Sequence, residues 1–291
     1  MLKSELRAFD AVARNNGFSR AAKVLNVSQP TLSAQVKALE QRYEIELFNR
    51  VGRSVRLTAP GKELFEATTR LMQAERDARE LLESYQGFHS GSLNLAAVGP
   101  FHATDMIVAF KNAYPLIDVE VRFGNSARCF ERIVSYEADV GIIAEVPADK
   151  RVTTLPYSTH EVVVFVNTDH PFASRTEIEF SELAGQKVLR REPGSTTRMA
   201  IESALQKRQI ETRTILELGS REAIWKGVEQ GLGIGFVADF EFVPHPNLRA
   251  VRISDMDVRT KYFLAYLTER SQSKLITNFC KVALDLVGEA R

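Results

Sequence analysis

A proline directly ahead of a helical pattern is the feature that most restricts how this chain can fold. It stands at position 30 of the stretch VSQPTLSAQVKALEQRY, residues 27–43. Four apolar side chains recur there at the spacing of one helix face and predict a core-facing side: Leu32, Val36, Leu39 and Tyr43. Pro30 suits such a helix only in its first turn, where backbone N–H groups have no intrahelical partner. The sequence therefore predicts a helix that starts just after Ser28, with Ser28 as its N-cap.

Two further helices are predicted ahead of this one. The first runs from Ser4 to Asn15 and is ended by Asn16-Gly17. The segment FSRAAKVL predicts a short helix capped by Ser19, and Asn26–Ser28 is then a tight connection. Two helices joined by a turn of three to four residues are typical of a helix-turn-helix.

The helix that starts after Ser28 is the second helix of this pair. Its outward face is small and polar, with one cation at Lys37. Such a face fits the floor of the DNA major groove, where short side chains allow close approach and polar ones bond base edges or phosphates. An ordinary solvated face is the alternative. The segment ELFNRVGRSVRLTAPG follows and predicts a short hairpin, or wing, that turns at Gly52. Its arginines are suited to phosphate or minor-groove contact: Arg50, Arg53 and Arg56.

Charge and composition favour a nucleic-acid-binding segment joined to a larger body. Residues 1–60 hold ten Lys and Arg against five Asp and Glu, whereas the remainder carries a net charge of −4. No apolar run is long enough to cross a membrane, and the charged N-terminus does not have the pattern of a signal peptide. Two cysteines 151 positions apart, Cys129 and Cys280, form neither a disulfide framework nor a metal motif. We therefore expect a cytoplasmic protein that does not bind membranes.

The ordered run FSRAAKVLNVSQPTLSAQVKALEQRYEIELFNR, with the arginine wing, LTAPG and a long helix after it, resembles the LysR-type transcriptional regulators. The resemblance implies a winged helix-turn-helix domain at 1–58, all-α with a small β wing, and a linker and dimerisation helix at 59–88. It also implies an α/β, periplasmic-binding-protein-like effector domain at 89–291. Subdomain I of that domain would span about 89–159 plus 264–291, and subdomain II about 160–263.

The same resemblance assigns the DNA contacts. The recognition-helix contacts would be Gln29, Pro30, Thr31, Ser33, Ala34 and Lys37, and the wing contacts Arg50, Arg53 and Arg56. The linker helix, predicted from Pro60 to Tyr85, carries an imperfect seam near heptad spacing: Leu64, Thr68, Leu71, Glu75, Ala78 and Leu82. The family implies a homodimer or homotetramer on promoter half-sites of double-stranded DNA, with effector binding altering DNA bending and the recruitment of RNA polymerase.

The last two hundred residues alternate between strand and helix patterns, which predicts an α/β fold with mostly parallel sheets. A helix is expected from Thr104 to Tyr114. The strand EVVVFVN is expected to follow a short break at Tyr157–His160, with KYFLAYL as a return crossing between subdomains.

Ligands of open α/β sheets bind at the carboxyl ends of strands, often against helix N-termini. Four segments meet this description: GPFHAT, FGNS, EPGSTTR and GLGIGFV. EPGSTTR would combine free N–H groups, hydroxyls and an arginine into an anion cradle, although plain helix capping by Ser195 is the alternative. The expected effector contacts are Pro100, Phe101, His102, Asn125, Ser126, Glu145, Ser195, Thr196, Thr197, Arg198, Gly235 and Phe236.

The segments GPFH, FGNS, REPGSTTR and LGSREAI are similar to LysR-type regulators associated with 2-aminoethylphosphonate catabolism. The cradle would hold the phosphonate, with a carboxylate such as Glu145 near the ammonium group. A small carboxylate or an amino acid would also suit the cradle.

The rival classes are an α/β enzyme or a solute-binding protein joined to a helical domain. The five histidines show no metal-binding spacing, and neither a G-x-S-x-G elbow nor a Walker loop occurs. We therefore expect no catalytic residues, no metal and no cofactor, and a small anionic effector as the ligand.

Overall fold

The structure is a computed structural model, and it describes residues 2–51, 54–84, 91–255 and 257–289. The side chains of residues 50, 51, 54, 84 and 287–289 lie outside this description. The chain divides into two compact units, residues 1–86 and 87–291. Within the described ranges, no helix combines the length and the apolar character that a membrane span requires.

The first unit has the winged helix-turn-helix arrangement. Its elements are α1 (Leu2–Asn15), α2 (Phe18–Val24), α3 (Gln29–Tyr43), β1 (Phe48–Val51), β2 (Ser54–Leu57) and α4 (Ala59–Ser84). Ser28 is the N-cap of α3 and accepts a hydrogen bond from the backbone N–H of Thr31, as predicted, with Pro30 in the first turn. The strands β1 and β2 pair antiparallel, which confirms the wing as a hairpin. Its turn at Gly52 lies outside the described residues.

Two local predictions in this unit are wrong. Gly17, not Ser19, is the N-cap of α2, and the Ser19 hydroxyl instead donates to Oε1 of Gln29 at 2.9 Å. Tyr43, predicted to face the core, is 52% exposed. The helix ends at Tyr43 because Glu44 turns the chain in the left-handed conformation, and the fully buried Leu47 closes this end of the core.

The residues of the seam expected along α4 lie in two environments: some pack against α1, and others are exposed. Thr68 is buried and its hydroxyl bonds Asp10 of α1, and Glu75 forms ion pairs with Lys3 and Arg7 of α1. The imperfect seam positions therefore pack against α1 of the same chain. Three leucines of α4 are exposed: Leu71, Leu81 and Leu82.

The second unit alternates strands and helices in its first part and ends on a long helix. Its elements are β3 (Ser92–Ala97), α5 (Pro100–Ala113), β4 (Asp118–Phe123), α6 (Ser126–Val134), β5 (Val140–Ala144), β6 (Val152–Asn167), β7 (Glu177–Ile178), β8 (Lys187–Arg191), α7 (Thr196–Arg208), β9 (Arg213–Leu218), α8 (Arg221–Glu229), β10 (Gly235–Ala238), β11 (Leu248–Ile253), β12 (Arg259–Leu267) and α9 (Lys274–Glu289).

The two long strands β6 and β12 connect the halves of this unit. The sheet has the order β4-β3-β5-β12-β6-β11-β7, with β10 also paired to β6, and β8 and β9 form a separate parallel pair. One end of β6 pairs with β12, and its other end pairs with β10 and β11. Separate buried clusters line the two halves, one around Phe110 and Phe279 and another around Phe180 and Val164. This arrangement positions a cleft between them.

Three predictions for this unit need correction. The sheets are mixed, not mostly parallel, because the crossing strands β6 and β12 run antiparallel to their neighbours. No break interrupts the region Tyr157–His160, since β6 is continuous there and the pairing with β12 shifts register by one residue, which leaves Tyr157 as a bulge. The helix α5 begins at Pro100, four residues ahead of Thr104, because Gly99 serves as its N-cap and Pro100 fits the first turn.

Candidate DNA interface and effector cleft

One exposed surface of α3 carries the side chains predicted to contact DNA. Leu32, Val36 and Leu39 are buried on the opposite side of the helix. The predicted contacts are exposed except for the half-buried Ser33: Gln29, Pro30, Thr31, Ser33, Ala34 and Lys37. The bond from Ser19 engages Oε1 of Gln29, so its amide nitrogen stays available as a donor.

The cations of this unit fall into two groups. Arg42 makes a bidentate pair with the buried Glu5, at 2.7 and 2.9 Å, and Arg14 pairs with the buried Asp10 at 2.7 Å. By contrast, Lys37 of α3 and Arg56 of β2 are exposed and form no ion pair with any residue that the structure describes. Such uncommitted cations are available to phosphates.

The wing is tied to α3 through Glu40. Its Oε1 accepts hydrogen bonds from the backbone N–H groups of Leu47, at 2.8 Å, and Phe48, at 3.3 Å. Arg56 pairs across the hairpin with Asn49 and is exposed. The side chain of Arg50 and the whole of Arg53 lie outside the described residues, so their assignment to the wing contacts stays a prediction.

A cleft of about 440 Å³ lies in the second unit, where three helices begin. Their N-caps line it: Gly99 of α5, Asn125 of α6 and Ser220 of α8. Free N–H groups and the helix dipole favour an anion at such a place. The charged lining adds three arginines and two carboxylates: Arg128, Arg191, Arg221, Glu192 and Glu222. The cleft is therefore suited to a small anion, with the exposed carboxylate of Glu222 placed for an attached ammonium group.

Ion pairs hold two of these arginines in place. Arg191 donates to both oxygens of Glu192, at 2.8 and 3.0 Å, and Arg221 lies 2.8 Å from Oε1 of the buried Glu241. Burial acts to raise the pKa of Glu192, but the hydrogen bonds and charge of Arg191 and the bond from Asn125 outweigh it, so the pKa is lowered. Arg128 is exposed and has no ionic partner within the described part of the chain.

Polar contacts join the two halves along one side of the cleft. Asn125 donates from Nδ2 to Glu192 at 3.1 Å and to the carbonyl of Pro193 at 3.2 Å. The hydroxyls of Ser126 and Thr196 lie 3.3 Å apart and are buried, as is Ser195, the N-cap of α7. These residues connect the start of α6 to the start of α7.

The expected effector residues are not all brought together. Pro100 and Asn125 line the cleft, whereas Ser126, Ser195 and Thr196 are buried next to it. A separate small cavity is lined by Thr197, Arg198 and Phe236, and Arg198 is engaged there by Glu202, Glu217 and the carbonyl of Arg191. Gly235 packs against Phe165 inside the sheet. Glu145 accepts a hydrogen bond from the backbone of Lys261 and does not line the cleft.

His102 belongs to a half-buried aromatic cluster rather than to a loop at the cleft. Its ring stacks on Phe240 at 4.1 Å, and its Nε2 lies 3.2 Å from Nε2 of His160. Nδ1 of His160 lies 3.0 Å from Asp239. Burial, with a smaller contribution from His160, lowers the pKa of His102 to about 4. The imidazole is therefore neutral at neutral pH.

Sequence reasoning missed the arginines of the cleft. Arg191 is the last residue of β8, and Arg221 is the first residue of α8, directly after the N-cap Ser220. The segment LGSREAI has the same strand–cap–helix signature as FGNS, which is a signal that could have identified Ser220 and Arg221. Arg191 gives no such signal, because only the tertiary fold directs it to the cleft.

A winged helix-turn-helix unit followed by an α/β unit with a ligand-sized cleft defines a class of regulatory DNA-binding proteins. Residues 4–62 match the bacterial regulatory helix-turn-helix proteins of the lysR family, and residues 86–287 match the LysR substrate binding domain. The chain therefore belongs to the LysR family of transcriptional regulators. It is a DNA-binding regulator and not an enzyme.

Relatives of known name agree with this assignment. The chain is 32% identical over 236 residues to the RuBisCO operon transcriptional regulator of Allochromatium vinosum, which covers 80% of this chain and 78% of that protein. A full-length OxyR variant from Pseudomonas aeruginosa shares the fold, with a TM-score of 0.78 and 23% identity over 99% of this chain and 94% of that one. The regulatory domain of Synechocystis CcmR, solved in complex with 2-PG, has a TM-score of 0.63 and 25% identity over 68% of this chain and 97% of that domain.

Proposed function

We propose that this LysR-type regulator is controlled by a small anionic effector that binds in the cleft, and that the effector is a phosphonate or a related organophosphorus anion. The observation that carries the proposal is the convergence of Arg128, Arg191 and Arg221 on three helix N-termini in one cavity. Arginine guanidinium groups and helix N-termini are the groups that proteins use to bind phosphoryl oxygens.

The carboxylates Glu192 and Glu222 in the same lining suit an effector that also carries an ammonium group. 2-Aminoethylphosphonate has both charges and is our first candidate. The regulatory domain of the related CcmR was solved in complex with 2-PG, which supports a small-molecule ligand for the second unit. A small carboxylate or an amino acid is the second candidate, favoured by the two carboxylates that reduce the net positive charge of the lining.

We infer that effector binding acts on DNA through the side-chain contacts that join the two halves of the second unit. An anion that bonds Arg191 competes with Glu192, which is itself bonded to Asn125 of α6. The effector therefore changes the contacts that join the two halves, and only a difference in its affinity for the two arrangements shifts their balance. In a homodimer or homotetramer in the cytoplasm, that shift alters half-site spacing, DNA bending and polymerase recruitment.

A thermal-shift series tests the effector. It compares 2-aminoethylphosphonate, 2-PG, methylphosphonate, phosphate, small carboxylates and amino acids at equal ionic strength. A ligand present at about 100 times its Kd stabilises the folded protein by about 2.7 kcal/mol, which is readily measured. A shift with organophosphorus anions alone supports the proposal. A shift confined to carboxylates or amino acids would mean that the effector is one of these and not an organophosphorus anion. The absence of any shift contradicts an anion site in the cleft.

For DNA, we propose that Gln29, Thr31, Ser33 and Lys37 contact the major groove and that Arg50, Arg53 and Arg56 contact phosphates or the minor groove. Pro30 and Ala34 allow the helix to approach closely. Fluorescence anisotropy with promoter DNA, measured over a range of salt concentrations, tests the cations. Lys37→Ala and Arg56→Ala should each lower the salt slope by about 0.9, the value for one phosphate contact. Lys281→Ala, an exposed cation on α9, is the control; slopes equal to wild type in all three variants contradict the assignment.

A further inference from the structure

The side chain of Ser19, in α2, bonds a residue that is predicted to contact DNA. Its Oγ donates to Oε1 of Gln29 at 2.9 Å, across the turn between α2 and α3. Ser19 is not a helix cap, because Gly17 occupies that position of α2. It is also exposed and lies outside the buried core of the first unit. Within the described part of the chain, the bond to Gln29 is therefore the contact that gives the Ser19 hydroxyl a role.

The packing of α2 fixes the position from which Ser19 donates. Ala21 and Ala22 of the same helix are buried in one cluster with Leu32 of α3. With the backbone held in this way, rotation about a single side-chain bond is all that moves the hydroxyl. Gln29 has a longer and more flexible side chain, whose ordering costs conformational entropy on binding. A bond that orders Gln29 before DNA arrives lowers that cost.

The bond also decides which groups of the Gln29 amide remain for a base. A glutamine amide offers one oxygen as acceptor and two N–H groups as donors. Oε1 accepts from Ser19, whereas Nε2 donates to no residue that the structure describes. Glutamine reads adenine with both groups, since adenine presents an acceptor and a donor in the major groove, whereas guanine presents two acceptors. Gln29 is therefore held as a donor, which favours guanine over adenine.

Thr31, the other polar residue among the predicted contacts in the first turn of α3, is also held by a serine. Its Oγ1 lies 2.7 Å from Oγ of Ser28, which accepts from the backbone N–H of Thr31 at 3.2 Å. Ser28 is the N-cap of α3, so its replacement would disturb the helix itself. Ser19 has no capping role, and a positioning effect can therefore be tested there without a change in the fold.

We propose that Ser19 is a positioning residue for DNA recognition: it holds the Gln29 amide as a hydrogen-bond donor towards the major groove, and so biases the base pair that Gln29 reads towards guanine and against adenine. The proposal rests on the proposed contact between Gln29 and DNA. Ser19 itself contacts no base.

Selection from a library of random DNA duplexes, followed by sequencing, tests this role with the full-length protein. Gln29→Ala first identifies the base pair that Gln29 reads, as the position at which the preference is lost. Fluorescence anisotropy then compares two duplexes that differ only at this pair, with guanine or adenine on the same strand. Ser19→Ala should raise the affinity for adenine relative to guanine about threefold or more over wild type, the size expected for one hydrogen bond between neutral groups. Ser19→Thr keeps the hydroxyl and should retain the wild-type ratio.

The outcomes separate the role of Ser19 from the DNA contact on which it rests. Identical selected sequences for wild type and Gln29→Ala would show that Gln29 reads no base and would overturn both. A preference that changes in Gln29→Ala, together with an unchanged or lower adenine-to-guanine ratio in Ser19→Ala, overturns the role of Ser19 alone. An equal loss of affinity for both duplexes in Ser19→Ala belongs to this second outcome and identifies a phosphate contact. Gln41→Ala, an exposed glutamine of α3 outside the predicted contacts, is the control and should keep the wild-type preference.

Discussion

Nδ2 of Asn125, at the start of α6, donates a hydrogen bond of 3.1 Å to Oε1 of Glu192, the residue that follows β8. Glu192 in turn holds the guanidinium of Arg191 at the cleft. One carboxylate therefore joins the two halves of the second unit and also positions a cation for the ligand. Asn125→Ala should weaken effector binding and leave the fold intact, whereas a structural role alone would change only the melting temperature.

Gly99 is required by the close approach of Arg221. A Cβ at position 99 would lie 2.8 Å from Nη1 of Arg221 and 3.2 Å from Oε1 of Glu241. We expect Gly99→Ala to displace the guanidinium and to lower effector affinity about tenfold, measured by calorimetry. Gly219→Ala is the matched control in the same cleft, since its Cβ would meet nothing within 4 Å. Equal affinities in the two variants would contradict the role of the Arg221 position.

Glu40 connects the wing to the recognition helix. Replacing it with Ala leaves the N–H groups of the buried residues Leu47 and Phe48 without their acceptor. We expect Glu40→Ala to lower the free energy of unfolding by about 2 kcal/mol and to weaken DNA binding, because unpaired buried N–H groups cost about 1–3 kcal/mol each. Urea denaturation and anisotropy measure the two effects. The exposed Glu46 provides the control, and a loss of equal size in Glu46→Ala would argue against this connection.

The half-buried pair of His102 and His160 makes the second unit sensitive to acid. The pKa of His102 is lowered to about 4, and that of His160 is also lowered, because burial disfavours their charged forms. The unfolded chain therefore binds protons more tightly, so stability is full above about pH 6.5 and falls as the pH drops towards 4, by about 1.4 kcal/mol per pH unit for His102. His102→Phe should flatten this dependence in urea melts between pH 7 and 5; an unchanged slope would show that another group is responsible.

The two cysteines should be chemically inert in the folded protein. Burial raises the pKa of the thiols of Cys129 and Cys280 to about 12, and they belong to different hydrophobic clusters. Because the thiolate is the reactive form, we expect no alkylation by iodoacetamide at pH 8 until the protein is unfolded. Mass spectrometry detects the adducts. Rapid labelling of the native protein would contradict this expectation.

The features that the sequence predicted well are local ones. Ser28 and Pro30 define the start of α3 through chemistry confined to four residues, and the hairpin of the wing follows from alternation over a few more. Tyr43 fits the same periodicity as Leu39 but is exposed, since the chain leaves the helix at Glu44. Periodicity alone does not contain that information.

The features that the sequence missed depend on contacts between distant segments. Arg198 follows the helix cap Ser195 closely in the sequence, which predicts that it belongs to the anion cradle. In the structure, Glu202 and Glu217 bind Arg198 away from the cleft. Arg191 and Arg221 are 30 positions apart, and only the packing of β8 and α8 brings both to the cleft. The charge that binds an effector is thus assembled by the fold and cannot be read from one motif.

Isothermal titration calorimetry of Arg191→Gln against Arg190→Gln tests the central claim most directly. The two residues are neighbours in β8, but Arg191 lines the cleft, whereas Arg190 lines the small cavity beside α7 and not the cleft. With the organophosphorus anion that gives the largest thermal shift, we predict that Arg191→Gln lowers affinity by about tenfold or more and that Arg190→Gln retains wild-type affinity. Equal affinities in both variants and wild type would contradict an anion site in this cleft.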